Sequence, residues 1–159
     1  MESIAPRRIQ ISVIGAGRCS EAVRWLAEAV GDEIGRRGAV LVCGGLGGVM
    51  EAAACGARRA GGLTVGVLPS YDRRTANRWL DVVLPTGFGH ARNVIVVASG
   101  DVVIALPGEY GTASEIALAL KLGRCVVGLQ AWEDYLGILH AGSASEAVDL
   151  ALQAADGAD

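Results

Sequence analysis

Apolar and polar positions alternate along the chain between short apolar runs and longer amphipathic stretches. "IQISVIG", Ile9 to Gly15, reads as a first strand. Ser20 then stands where it can cap a helix, and Val23, Leu26, Val30 and Ile34 recur at helical spacing until Gly38 stops it. Ala39 to Cys43 is a second strand. "VMEAAACGARRA" is an alanine-rich helix ended by Gly61 and Gly62. "LTVGVLP" is a third strand, Ser70 to Arg78 a polar loop holding Arg73, Arg74 and Arg78, and "DVVLP" a short fourth strand. Further on, Cys125 to Leu129 is another strand. Ser143 to Ala155 is an amphipathic helix with Ser143 or Ser145 as its cap.

The segment from Gly87 to Gly108 has two readings. Its two β-branched runs, joined by Ala98-Ser-Gly-Asp101, look locally like a hairpin. A parallel sheet instead needs a crossover before the fifth strand, and Ala91 to Ser99 is the only material for it. The wider alternation of strands and helices favours a helix over Ala91 to Ser99 and a strand over Asp101 to Leu106. The strands are unbroken apolar runs, as expected when both faces of a sheet are covered. The fold class read from this pattern is α/β, a doubly wound, mainly parallel sheet of about six or seven strands with helices on both faces. In such sheets ligands sit beyond the carboxyl ends of the strands, where the strand order reverses. Those ends carry the glycines at 15 and 17, at 44 to 48, and at 108 and 111.

The 159 residues suggest one domain over the whole chain, large enough to bury its own core. With 52% hydrophobic and 19% charged residues the chain reads as globular. No window approaches the ~20 apolar residues of a membrane span, so no membrane partner is expected. "MESIAPRRIQ" lacks the apolar core of a signal peptide, so a cytoplasmic location is expected. A net charge of −3 argues against a general nucleic-acid surface. Lysine occurs only at Lys121, so arginine, whose fork matches phosphates and carboxylates, supplies nearly all the positive charge. Cys19, Cys43, Cys55 and Cys125 form no C-x-x-C pair, and free thiols are favoured over a zinc site.

Four segments carry candidate chemistry. Gly15-Ala-Gly17-Arg18 is a G-x-G lacking the third glycine, and no acidic residue closes the second strand, so NAD binding is disfavoured. A tight turn is the plainer reading of that segment, with Arg18 within reach of a ligand. Gly44-Gly45-Leu46-Gly47-Gly48 is unlike a Walker A loop, because no Gly-Lys-Ser/Thr follows. Four glycines in five positions indicate that something approaches the backbone closely: a ligand, a packed helix, or both. Arg92 and Asn93 open a largely apolar helix, where a buried arginine calls for an anionic partner; His90 beside them is a weaker candidate. Last comes "LPGEYGTASE". Gly108, Gly111 and Thr112 let a phosphate approach the free N–H groups at a helix start. Thr112 to Glu115 also has the form of a capping box, and from this stretch alone the cap is favoured.

Together, "GGLGGVMEAA", "GHARN" and "LPGEYGTASE", in that order between strands, resemble the Lonely Guy superfamily, many of whose members carry the label "lysine-decarboxylase-like". "AGGLTVGVLP" and "EIALALKLGRCVVGL" look closest to its small branch containing the molybdenum cofactor carrier protein. The resemblance covers roughly Ile9 to Leu129. It implies a Rossmann-like fold and a homo-oligomer, dimeric or larger. In the enzymes of the family the motif P-G-G-x-G-T-x-x-E and an upstream arginine cleave a nucleoside 5′-monophosphate into base and ribose 5-phosphate. On that pattern Glu115 and Arg92 are the catalytic candidates, and Gly108, Gly111 and Thr112 the phosphate loop. In the carrier branch the same sheet edge holds molybdenum cofactor, a phosphorylated pterin. Neither activity requires a further cofactor. Nothing here resembles a pyridoxal phosphate lysine site, so lysine decarboxylation is not implied.

Glu109 departs from the motif by standing in place of its second glycine. A carboxylate there costs a bound phosphate on the order of 1–4 kcal/mol, depending on exposure, and a backbone angle suited to glycine is a second concern. The leading expectation is therefore a binding or carrier protein for molybdenum cofactor or a related nucleotide. A nucleoside 5′-monophosphate phosphoribohydrolase is the alternative, and a nucleotide sensor without catalysis a third. The expected contacts are Gly15, Gly17, Arg18, Gly44, Gly45, Gly47, Gly48, Arg92, Asn93, Gly108, Glu109, Gly111 and Thr112, with no metal ligands.

Overall fold

A computed structural model describes residues 4–157. Its seven strands are β1 (Gln10–Ile14), β2 (Val40–Cys43), β3 (Leu63–Leu68), β4 (Val82–Pro85), β5 (Val102–Ala105), β6 (Cys125–Leu129) and β7 (Leu139–Ala141). Five α-helices alternate with them: α1 (Glu21–Arg36), α2 (Val49–Arg59), α3 (Arg92–Ser99), α4 (Tyr110–Lys121) and α5 (Ala144–Asp156). Every strand pair is parallel, in the order β4-β3-β2-β1-β5-β6-β7. The chain runs outward from β1 to β4 and returns through α3 to β5 on the other side of β1. The order therefore reverses between β1 and β5. This is a Rossmann-like α/β fold. The segment with two readings, Ala91 to Ser99, is the crossover helix rather than half of a hairpin.

Each face of the sheet has its own core. Ile11, Val13, Leu41 and Cys43 point to the side covered by α1, α2 and α5. Ile14, Val40, Val42 and Val103 point to the side covered by α3 and α4. Ser12 is the polar exception among the buried β1 side chains. It is fully buried, and its hydroxyl donates to the Val96 carbonyl at 2.6 Å, so it carries no unsatisfied donor. α1 and α2 lie close enough that a Cβ on Gly31 would meet the Ala53 carbonyl oxygen at 1.9 Å. Alanines and glycines on these helices are what permit that approach.

The helix ends follow the sequence with one exception. The Ser20 hydroxyl accepts from the Val23 N–H at 3.3 Å. Of the two serines before α5, Ser143 is the cap, accepting from Glu146 N–H at 3.2 Å, while the Glu146 carboxylate accepts from Gly142 N–H at 2.7 Å. The exception is the capping box at Thr112 to Glu115. α4 begins two residues earlier, at Tyr110, with Glu109 at its N-cap and no side-chain cap bond. Thr112 is therefore already helical, and Glu115 does not reach back to its N–H. No helix among the described residues is long and apolar enough to cross a membrane.

Candidate functional site

A cleft of about 600 Å³ opens at the carboxyl edge of the sheet, where the strand order reverses. Its walls come from four strand-to-helix connections. The β1–α1 turn supplies Gly15, Ala16, Gly17 and Arg18, and the β2–α2 turn Gly44, Leu46, Gly47 and Met50. The start of α3 contributes His90, Arg92 and Asn93, and the start of α4 contributes Glu109, Gly111, Thr112 and Glu115. The structure thus brings together twelve of the residues singled out in sequence, from segments up to a hundred residues apart. Val13, Ala16, Leu46 and Met50 also line it, and nothing in their local sequence marks them.

Three of the expected glycines lie behind the wall rather than in it. Gly48, at φ 63°, is the N-cap of α2, and a Cβ there would meet the Ala16 carbonyl oxygen at 2.3 Å. That close approach locks the two glycine turns together, and the Val49 N–H donates to Ala16 O at 3.0 Å. Gly45 backs onto Leu68, and Gly108 packs on the Thr112 hydroxyl. The glycine cluster thus serves backbone packing as well as the cleft. Gly44 does both, because a Cβ there would meet the Arg92 guanidinium at 2.7 Å. Arg73, Arg74 and Arg78 do not line the cleft: Arg74 pairs with Asp72, and Arg78 lies 4.7 Å over the Trp79 ring.

The floor of the cleft is polar and buried. Arg92 is 8% exposed, Asn93 9%, Thr112 3% and Glu115 8%. The Arg92 guanidinium donates to the Asn93 side-chain oxygen and, at 3.3 Å, to the Gly44 carbonyl, but its Nε has no partner. The Asn93 NH₂, the Thr112 hydroxyl and the Glu115 carboxyl make no hydrogen bond to another described residue. Of these groups the Arg92 Nε is fully buried without a partner among the described residues, at a cost of about 1–3 kcal/mol, while the other three open onto the cleft with hydrogen-bonding capacity to spare; together they mark a site that a ligand can complete. Arg92 and Glu115 act on each other through space, without an ion pair between them among the described residues. Burial pushes the Glu115 pKa up to about 7 despite the pull of Arg92, and burial lowers that of Arg92.

Above this floor, α4 presents its first turn. The N–H groups of Tyr110, Gly111 and Thr112 precede the first intrahelical bond, from Ala113 N–H to Glu109 O at 2.9 Å. They are therefore free to meet an anion. Glu109 takes a negative φ, −117°, outside the left-handed region that favours glycine, so the backbone here does not call for the glycine it replaces. Its exposed carboxylate at the cleft mouth is an electrostatic feature only.

With this geometry in place, the chain can be compared with known proteins. The model of the SLOG cluster4 family matches residues 8–155. An uncharacterized protein of Archaeoglobus fulgidus is 51% identical over 122 residues, 77% of this chain and 80% of that protein. The cytokinin riboside 5′-monophosphate phosphoribohydrolase of Mycobacterium tuberculosis is 38% identical over 117 residues, 70% of this chain and 56% of that enzyme. Among solved structures, the molybdenum cofactor binding protein of the phototrophic bacterium Rippkaea orientalis has a TM-score of 0.88 at 35% identity, covering 94% of this chain and 98% of that one. The molybdenum cofactor carrier protein of Chlamydomonas reinhardtii has a TM-score of 0.84 at 33% identity, covering 92% and 98%.

Proposed function

The chain belongs to the SLOG cluster4 family, and from that premise we propose that its cleft binds a phosphate-bearing, nucleotide-like ligand as a carrier or binding protein. Molybdenum cofactor and related nucleotides are the ligand class. One observation carries the reading: four polar side chains, each at least nine-tenths buried, face the same cleft with hydrogen-bonding capacity unfilled. The α4 amides suit phosphate oxygens, and Arg92 supplies the countercharge below them. Asn93, Thr112 and Glu115 offer a donor, a hydroxyl and a carboxyl to the polar edge of a base, pterin or sugar. The carrier structures that share the fold support this class of cargo.

The test is direct. Purified protein is heat-denatured, and the supernatant is examined by mass spectrometry for phosphorylated pterins and nucleotides. The expected result is a phosphorylated compound near one per chain, missing from Arg92→Ala prepared alongside. Supernatants without such a compound, from protein that also takes up none when incubated with nucleotides, would overturn the reading.

A second reading rests on one specific feature. A carboxyl with a pKa of about 7 suits proton transfer at neutral pH, and Glu115 faces the cleft beside a cation, as in N-glycosidic bond cleavage. The 38% identical phosphoribohydrolase supports it. Release of free base from 5′-monophosphates by the native protein, and none by Glu115→Gln, would favour this enzyme over the carrier.

A further inference from the structure

The cleft depends on how α4 is aimed, and α4 does little to aim itself. It starts without a side-chain cap bond, so the corner before it, Leu106 to Glu109, fixes its first turn. Pro107 has no N–H, so that corner is held through its carbonyls. The Ala16 N–H donates to Pro107 O at 3.1 Å. The carbonyl of Leu106, a fully buried residue, accepts from the indole N–H of Trp132 at 3.0 Å. Two successive carbonyls are thus pinned from the two strands that flank β5: one by the β1–α1 turn, the other by the β6–β7 connection.

Trp132 is bent into that place. Gln130 at φ 53° and Trp132 at φ 68° are the two residues other than glycine in the left-handed region among the described residues. Side chains disfavour that region, so two such residues within three positions mark a backbone held there by its surroundings. The connection folds back on β6 so closely that a Cβ on Gly128 would meet the Ala131 carbonyl oxygen at 2.9 Å. The Trp132 ring packs on the core of the α3 and α4 side and meets Tyr135 edge-on at 6.4 Å. It does not line the cleft. A buried indole needs some acceptor. This one has taken the carbonyl directly ahead of the turn that presents the α4 amides.

Resting on the phosphate-ligand reading above, we propose that Trp132 is a positioning residue for that site. Through Leu106 O it sets the direction in which the Tyr110, Gly111 and Thr112 amides meet the phosphate, without touching the ligand. Without its N–H, the Leu106 carbonyl is left unmatched. The corner is then free to turn about the bonds that remain, from Leu106 N–H to Ile14 O and from Ala16 N–H to Pro107 O. Hydrogen bonds weaken steeply with misalignment, so a small turn of the amides is felt by the anion.

Trp132→Phe keeps an aromatic ring and removes the N–H. Calorimetric titration of the full chain with inorganic phosphate and with adenosine 5′-monophosphate tests the proposal. Affinity for both probes should fall by a similar factor, about threefold to tenfold, because the amides they share have moved. Ser143→Ala, which loses the cap of α5 away from the cleft, is the control for stability alone and should leave both affinities unchanged. Native affinities in folded Trp132→Phe, a loss confined to one probe, or a loss no larger than in Ser143→Ala would overturn the proposal while leaving the phosphate site standing. If Trp132→Phe does not fold, the native chain decides by nuclear magnetic resonance. The Trp132 indole N–H signal, told apart from Trp25 and Trp79 by Trp25→Phe and Trp79→Phe, should shift during phosphate titration with the same midpoint as the Thr112 amide. A signal that stays fixed while the amide moves would overturn the proposal. If neither probe binds the native protein, the underlying reading falls, and this proposal with it.

Discussion

Replacing Glu115 by glutamine removes a charge from the cleft floor while keeping nearly the same shape, and the effect on folding stability can be worked out from the structure. The Glu115 carboxyl is buried, and its pKa rises from an ordinary 4.5 to about 7. Between those values the folded chain holds a proton that the unfolded chain has released. Stability from this group is therefore fully present below pH 4.5 and lost as pH rises, with the loss complete a little above pH 7. The full loss is about 3 kcal/mol, of which about 2–3 kcal/mol falls between pH 5 and pH 8. Glutamine does not titrate, so the variant should escape that loss. Urea unfolding of both proteins at pH 5 and pH 8 gives a double difference in which other titrating groups cancel. Glu115→Gln should gain about 2–3 kcal/mol relative to the native protein on going from pH 5 to pH 8. In melting temperature that is about 6–12 °C for a chain of this size. Identical pH dependence in the two proteins would refute the reasoning and place Glu115 in contact with water.

Other consequences follow from the packing. Gly31→Ala puts a methyl group 1.9 Å from the Ala53 carbonyl oxygen and must push α1 off α2; thermal unfolding should show a loss of about 1–3 kcal/mol or more. Ser143→Ala removes the hydroxyl that accepts from Glu146 N–H, and the same measurement should show a loss of about 1 kcal/mol. Cys43 is fully buried, and burial pushes its thiol up to about 11, so a thiol reagent at pH 8 should label it only after denaturation.

Much of the fold is legible in the sequence because burial on both faces writes strands as apolar runs. β1, β2, β3 and β6 lie within a residue or so of their apolar segments. The region of α3 is locally ambiguous, since Val94 to Val97 suit a strand as well as a helix. Only the need for a parallel crossover decides it, which is a property of the whole sheet. β7 left no comparable mark. It has three residues, its Leu139 and His140 are exposed, and it is held in place by pairing with β6. At the site, Arg92 and Asn93 are readable because a charged and an amide side chain open an apolar helix. The Thr112 to Glu115 capping box misleads for a physical reason. The same letters serve an N-cap or an inner helix face, and where the helix starts depends on Glu109 and Tyr110. Once α4 starts at Tyr110, Glu115 lies one turn in and faces the cleft. Met50 and Leu46 reach the cleft only through the docking of the two glycine turns, which no local pattern encodes.

The measurement closest to the central claim is titration of adenosine 5′-monophosphate into native protein and Arg92→Ala by calorimetry, with thermal melts of both as a folding control. The expected result is one site per chain in the native protein and binding weaker by about tenfold to a hundredfold in the variant, as for loss of a charged hydrogen bond to phosphate. Equal affinity in the two folded proteins, or no binding of this probe or of inorganic phosphate to the native chain, would contradict it.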